Sequence, residues 1–219
     1  MFFAQNIMST EGLGYGYLYN GYSIAHANFA TNGWHIPTST EITTLLTYLG
    51  GNSVAAGKMK ETGVDHWYTP NTGATNSSGI TLFGCGYRQA TGVYININKY
   101  VWLVSSTFSN GNPIFTVASY NSAGNLGLYT KDVEVGYTVR LIKDSTTLSH
   151  GQTSTMTDYD GNVYDTICIG TQEWTVQNWK CTKLNDGTSL TKVTSDTTWA
   201  NAGAGDLYYC AYNNDESNV

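Results

Sequence analysis

Apolar residues recur along this chain with two different periods, and the switch between them marks out its elements. Over 38–49, Ile42, Leu45, Leu46 and Leu49 repeat at three- and four-residue spacing, the stripe of an amphipathic helix. Thr38 and Glu41 stand three residues apart at its start, the spacing of a capping box, and Gly50-Gly51 ends it. A helix is predicted over 38–49. A shorter one is predicted over 53–61, weakened by the internal Gly57.

From Ile80 to Lys143 the period shortens. Runs at 92–95, 100–104, 114–120, 126–129 and 136–142 are rich in Val, Ile, Thr and Tyr and are separated by Gly and Asn, which predicts a meander of strands. Further on, 162–169 and 173–179 flank Gly170-Thr171-Gln172 and predict a hairpin, and Asn185-Asp186-Gly187 predicts another turn. The polar stretch 145–157 follows neither period and is read as a linker. The expected class is α+β and β-rich, with one or two short helices and antiparallel strands.

Composition sets the surroundings of those elements. A chain of 219 residues that is 41% hydrophobic can bury a real core, and 1–219 is expected to form a single domain. Charged residues make up 12%, about half the usual share, so the surface must be neutral and polar. A net charge of −6 and the absence of any Lys/Arg cluster argue against a nucleic-acid partner. Without a run of about 18 apolar residues, no membrane insertion is expected. The opening Met1-Phe2-Phe3-Ala4-Gln5-Asn6 lacks the basic start of a secretion signal, which favours a virion component over a secreted bacterial protein. Cys85, Cys168, Cys181 and Cys210 are too unevenly spaced for a zinc knuckle, and Cys181–Cys210 is the one candidate bridge.

Candidate chemistry is sparse. Asp158-Tyr159-Asp160-Gly161-Asn162 has alternating oxygen ligands before a glycine, as a calcium loop does, but lacks the distal Glu and reads better as a turn. His26, His35, His66 and His150 show no metal-ligand spacing. No nucleophile elbow, phosphate loop or dinucleotide fingerprint appears, so no catalysis, no cofactor and no metal are expected. Asn76-Ser77-Ser78 is a glycosylation sequon of the kind a polar chain acquires by chance, and the six Trp read as packing residues.

One region stands out. Tyr94, Asn96, Asn98, Tyr100, Asn110, Asn112, Tyr120, Asn121, Asn125 and Tyr129 line strands and loops with few intervening charges. Tyr offers a flat amphipathic face at low entropic cost, and Asn offers donor and acceptor together, the palette of sugar-binding loops and paratopes. These positions are the candidate ligand-binding residues. Taken singly, each also fits an ordinary turn or a half-buried strand.

Several motifs carry a resemblance. Gly33-Trp34-His35-Ile36-Pro37-Thr38, Lys58-Met59-Lys60-Glu61-Thr62-Gly63, Gly86-Tyr87-Arg88, Ser105-Ser106-Thr107 and Gly136-Tyr137-Thr138-Val139-Arg140 together resemble the Fibrobacter succinogenes major paralogous domain family. Asp160-Gly161-Asn162-Val163-Tyr164, Ile169 to Trp174, Gln177-Asn178, Asn185 to Thr188 and Tyr212 to Asp215 resemble the opening of the same family. That family is similar to C-type-lectin-like and formylglycine-generating-enzyme-like folds. The resemblance therefore implies a C-type-lectin-like fold with a β-rich binding face.

The order of these motifs is inverted. The family's C-terminal half matches 14–144 and its N-terminal half matches 158–219, with 145–157 between them. A circular permutation accounts for this order, and so do halves that complete neighbouring copies in an array or a swapped oligomer. The expected function is a non-catalytic recognition or adhesion module, as on a phage fibre, virion or bacterial surface, that binds a cell-surface glycan or protein. The competing expectation is a structural or decoration subunit whose same face packs against its own copies or other virion proteins, and a degenerate enzyme of the formylglycine-generating kind ranks third.

Overall fold

The computed structural model of the chain describes residues 14–124 and 127–219. In chain order the elements are β1 Leu18–Asn20, α1 Gly21–Ile24, β2 Trp34–His35, α2 Ser39–Tyr48, α3 Ala55–Met59, β3 Cys85–Arg88, β4 Tyr94–Ile97, β5 Tyr100–Ser109, β6 Asn112–Ser119 and β7 Leu128–Thr130. There follow β8 Gly136–Tyr137, β9 Ile142–Lys143, β10 Thr153–Thr157, β11 Val163–Ile169, β12 Gln172–Thr175, β13 Thr191–Lys192, α4 Asp196–Ala200 and β14 Tyr208–Cys210. The protein is α+β and β-rich. No helix among the described residues is long and apolar enough to cross a membrane.

Helix α2 forms where its stripe and its cap agree. Thr38 Oγ1 accepts the Glu41 amide at 3.2 Å and the Glu41 carboxylate accepts the Thr38 amide at 2.8 Å, a complete capping box. Ile42, Leu45 and Leu46 face the core. Replacing Thr38 with alanine is expected to remove about 1 kcal/mol and to lower the melting temperature by about 2–4 °C. A calorimetric scan with no shift would show that the cap is redundant. Helix α3 is shorter than predicted, and its internal glycine has a packing reason. A Cβ on Gly57 would come within 2.3 Å of the Gly73 carbonyl oxygen, where a neighbouring loop crosses the helix.

The strands build three sheets, in the orders β13-β14-β1-β8-β3-β4, β10-β11-β12-β9-β2 and β5-β6-β7. Strands from 153–210 complete both larger sheets: β14 pairs β1 antiparallel, and β12 pairs β9. Among the strand pairs of the described residues only β13–β14 is parallel. The run 136–142, predicted as one strand, is divided between two sheets: β8 belongs to the first and β9 to the second. Between them Val139 and Leu141 offer their carbonyls to Trp179 and Thr175. The segment 145–157 is not simply a linker, because 153–157 is the edge strand β10, paired with β11 from Thr153↔Ile167 to Thr157↔Val163. It lacks an apolar alternation because only Met156 is buried.

The β5–β6 hairpin separates two cores, which explains its nearly unbroken apolar sequence. On one face Trp102 stacks on Tyr87 at 3.6 Å and on Phe115 at 4.4 Å between ring centroids. On the other, Val101, Leu103 and Ala118 meet Leu45, Leu46, Met59 and Trp174. Opposite β4, Gly86 takes φ +61°, and a Cβ there would strike the Ile95 oxygen at 2.5 Å. The register runs unchanged from Cys85↔Ile97 to Tyr87↔Ile95, which sets Gly86 opposite Asn96, and only glycine fits there.

Two recognisable arginines are internal. Arg88 donates to the Gly92 and Val193 carbonyls and to Asp196 Oδ1 at 3.0 Å, between the rings of Tyr94 and Trp199. Arg140 is buried, and no carboxylate among the described residues pairs with it. Its guanidinium donates to Asn178 Oδ1 and to the carbonyls of Ile80, Thr81 and Thr175. The cysteines are free and buried. Cys181 and Cys210, the candidate bridge, lie on opposite sides of the first sheet. Cys210 pairs with Leu18 in one core, whereas the Tyr19 hydroxyl, on the other face of β1, reaches the Cys181 carbonyl.

Candidate functional site

The candidate binding residues do not share one face. Tyr94 is an internal strut: its hydroxyl donates to Asn214 Oδ1 at 2.6 Å and its ring lies over Arg88. Tyr100 is half-buried against the first core. Asn110 turns the β5–β6 hairpin at φ 51°, and the Asn112 side chain accepts the Val133 amide at 3.1 Å. Tyr129, 46% exposed on the outer strand β7, lies 6.2 Å from Phe115. Asn96 lies in β4 opposite Gly86, at φ 67°. Asn125 lies outside the described residues.

The remaining three converge. The register pairs Tyr100 with Ser119 at one end of the β5–β6 ladder and Ser109 with Asn112 at the other. At about 3.3 Å per residue the two ends are ~23 Å apart. Asn110 and Asn112 occupy the far end, while Asn98, Tyr120 and Asn121 gather at the near one. Two residues that the sequence reading passed over join them there. Tyr68, 46% exposed, meets the Tyr120 ring edge-on at 6.2 Å and 82°, and Lys99 places its ammonium 5.4 Å from the Tyr68 centroid. Their only sequence signals are an aromatic pair before Pro70 and a Lys in an Asn-rich turn, neither specific.

This ledge stands on a buried cation. Lys60 is fully buried, and its ammonium donates to the carbonyls of Thr72 at 3.0 Å, Ser119 at 2.8 Å and Ser122 at 2.9 Å. Those oxygens belong to the two segments that carry Tyr68 and Tyr120. Burial pushes the Lys60 ammonium down to about 8. Other contacts fix the same loop: Asn71 donates to the Glu61 and Gly63 carbonyls, Trp67 donates to Leu82, and Glu61 pairs with His66 at 2.9 Å. The Tyr68 amide donates to the Asn98 carbonyl at 2.7 Å, and the Tyr15 hydroxyl donates to Asn98 Oδ1 at 2.7 Å. The rings are therefore held in place by the fold itself.

Other features that attract attention in the sequence are occupied internally. The Asp158 carboxylate accepts the Asp160 and Asn162 amides, the Asn162 side chain and the Tyr164 hydroxyl, as a turn residue does. Asp160 pairs with Lys183 at 3.1 Å. Among the described residues no three His, Cys, Asp or Glu side chains gather as a metal site. His35 bonds Asp144 at 2.6 Å through Nδ1 and Glu41 at 3.0 Å through Nε2, tying β2 to the α2 cap. Beside it lies a cavity of about 260 Å³ lined by Ile24, Phe29, Trp34, Ile36 and Phe108. The Asn76 amide of the sequon donates to Thr81 Oγ1 at 2.8 Å. Burial pushes the Cys85 thiol up to about 12 and that of Cys181 up to about 11, as packing residues.

Neither a curated protein nor a solved structure matches the chain. The signature of one family, described as Fibrobacter succinogenes major domain, matches residues 3–143. That span contains Lys60, which holds the ledge, Arg88 and Arg140, which hold the sheets, and the aromatic ledge itself. The chain belongs to the Fibrobacter succinogenes major domain family.

Proposed function

We propose that the chain is a non-catalytic recognition module, displayed on a phage virion or bacterial surface, that binds a cell-surface glycan or protein through the ledge of Tyr68, Tyr120, Asn98, Asn121 and Lys99. One observation carries this reading. Two aromatic rings that water can reach are set at right angles on segments clamped by the buried Lys60. Folding alone has no need of an exposed Tyr68, whereas a flat ligand surface does. A C-type-lectin-like arrangement fits the family resemblance, the short helix after Gly33–Thr38 and the antiparallel β5-β6-β7 sheet.

The test is binding to glycan arrays and whole cells. A Tyr68→Ala/Tyr120→Ala variant is expected to lose at least about ten-fold in affinity, the scale of one or two buried aromatic contacts. Tyr129→Ala, on the outer strand β7 opposite Phe115, should bind as the wild type does. Equal binding by the double variant and the wild type sinks the ledge.

A structural or decoration subunit is the second reading, and β7 favours it. This strand ends the three-stranded sheet and exposes Leu128 at 46%, and an edge strand is where another chain pairs. Sedimentation across a concentration series separates the two, since a monomer at every concentration disfavours self-packing. For the motif order we propose a circular permutation. The Tyr15 amide donates to the Asn218 carbonyl at 2.7 Å, and β14 lies beside β1, so the two stretches join across the first sheet.

A further inference from the structure

Resting on that recognition reading, we infer that the ledge takes an acidic pyranose, with the sugar's C–H face on Tyr68 and its carboxylate at the Lys99 ammonium. Most of the cations are already engaged within the fold. Lys60, Arg88 and Arg140 are buried, and Lys143, Lys183 and Lys192 are paired with carboxylates. Lys58, Lys131 and Lys180, like Lys99, form no ion pair among the described residues, but of these four Lys99 alone stands over an aromatic ring there. Lys99 is half-buried beside an exposed ring, and no carboxylate within the described residues forms an ion pair with it.

A second exposed tyrosine–lysine pair supplies the contrast. Tyr159 is 51% exposed with the Lys183 ammonium 5.6 Å from its centroid, but there Asp160 neutralises the lysine at 3.1 Å. The Lys99 pair has the same geometry and an unspent charge. A cation over a tyrosine face with its other side in water can attract an anion without moving.

The rest of the ledge suits a saccharide. The Tyr68 and Tyr120 rings at 82° form a step that fits one flat ring against a wall. Asn98 and Asn121 use their side-chain oxygens internally, accepting from Tyr15 and Ser119, which leaves their amide N–H groups as donors to ring hydroxyls. On a protein with a net charge of −6, a local cation on an aromatic step also selects where an anionic ligand can land.

Calorimetric titration tests this, with oligomers of glucuronic, galacturonic and mannuronic acid set against their carboxyl-reduced neutral counterparts. At least one acidic oligomer is expected to bind about five- to ten-fold tighter than its reduced form at low salt, and added salt should erode the difference. Lys99→Met should abolish the preference by weakening the acidic oligomer down to its reduced form, with the unfolding midpoint unchanged. Tyr68→Ala should weaken both forms. Equal binding of both forms, unaffected by Lys99→Met, overturns the acidic class and leaves the ledge standing. No binding by any oligomer, or equal binding by a glutamate peptide, overturns the saccharide. Acidic binding that survives Tyr68→Ala overturns the ledge as well.

Discussion

Arg140→Met is expected to destabilise the protein by at least about 4 kcal/mol, the largest effect of any single substitution considered. The guanidinium is buried, and burial lowers its affinity for its proton to about 10. It holds Asn178 Oδ1 and the carbonyls of Ile80, Thr81 and Thr175. Methionine fills much of the volume but donates nothing, so four buried acceptors lose their partner. Each costs roughly 1–3 kcal/mol when orphaned. The loss is larger than for a buried ion pair replaced as a unit, because no charge is removed on the acceptor side. Arg140→Lys keeps the charge but cannot fork to four acceptors and should fall between the two. Urea unfolding measures the series. A shift worth less than about 1 kcal/mol for Arg140→Met would show that water enters and satisfies those carbonyls.

The same residue shows where the sequence stops being readable. Helix α2 was legible because everything that makes it is local: the stripe from Ile42 to Leu49 and the Thr38/Glu41 cap. The β5–β6 and β11–β12 hairpins were legible for the same reason, since their turns lie inside the pattern. Strands β1, β13 and β14 were not, because two- and three-residue strands are set by distant partners such as Leu18 and Cys210. Motif matching recognised Lys60, Arg88 and Arg140 without revealing that all three are internal cations, one caged by carbonyls brought from elsewhere in the chain.

The asparagines divide for a conformational reason. Asn71, Asn76, Asn96, Asn98, Asn110, Asn213 and Asn214 all take the left-handed conformation, with Thr81 the other non-glycine residue there among the described residues. Asn adopts that region more readily than other side chains, so part of the Asn enrichment reports backbone geometry. The candidate set accordingly mixed hairpin turns with surface groups. Among its described members Asn98, Tyr120 and Asn121 come together, beside Tyr68 and Lys99. Nothing local links these, because the Lys60 cage that joins their loops is formed by the fold.

Alkaline pH is expected to unfold the protein more steeply than acid. The Cys85 thiol is pushed up to about 12 from an ordinary 9.0 by burial. Cys181 is raised to about 11, and burial also raises Tyr15, Tyr19, Tyr94, Tyr137 and Tyr164. Such groups stay protonated in the folded chain at pH values where the unfolded chain has released its protons. Their contribution is complete below about pH 9 and is lost as pH climbs toward 11 to 12. Cys85 alone accounts for about 4 kcal/mol of that loss. Lys60 works in the opposite direction. Its folded value, about 8, lies below the ordinary 10.5, so the folded state sheds this proton first and gains stability between those values. Urea midpoints should therefore hold or rise slightly from pH 8 to 9 and then collapse above about pH 10, where the thiols and phenols outweigh one lysine. Lys60→Met should remove the initial rise and leave the collapse, and Cys85→Ala should make the collapse shallower. Constant midpoints up to pH 11 would mean that these hydroxyls and thiols ionise in place, which their burial among apolar side chains argues against.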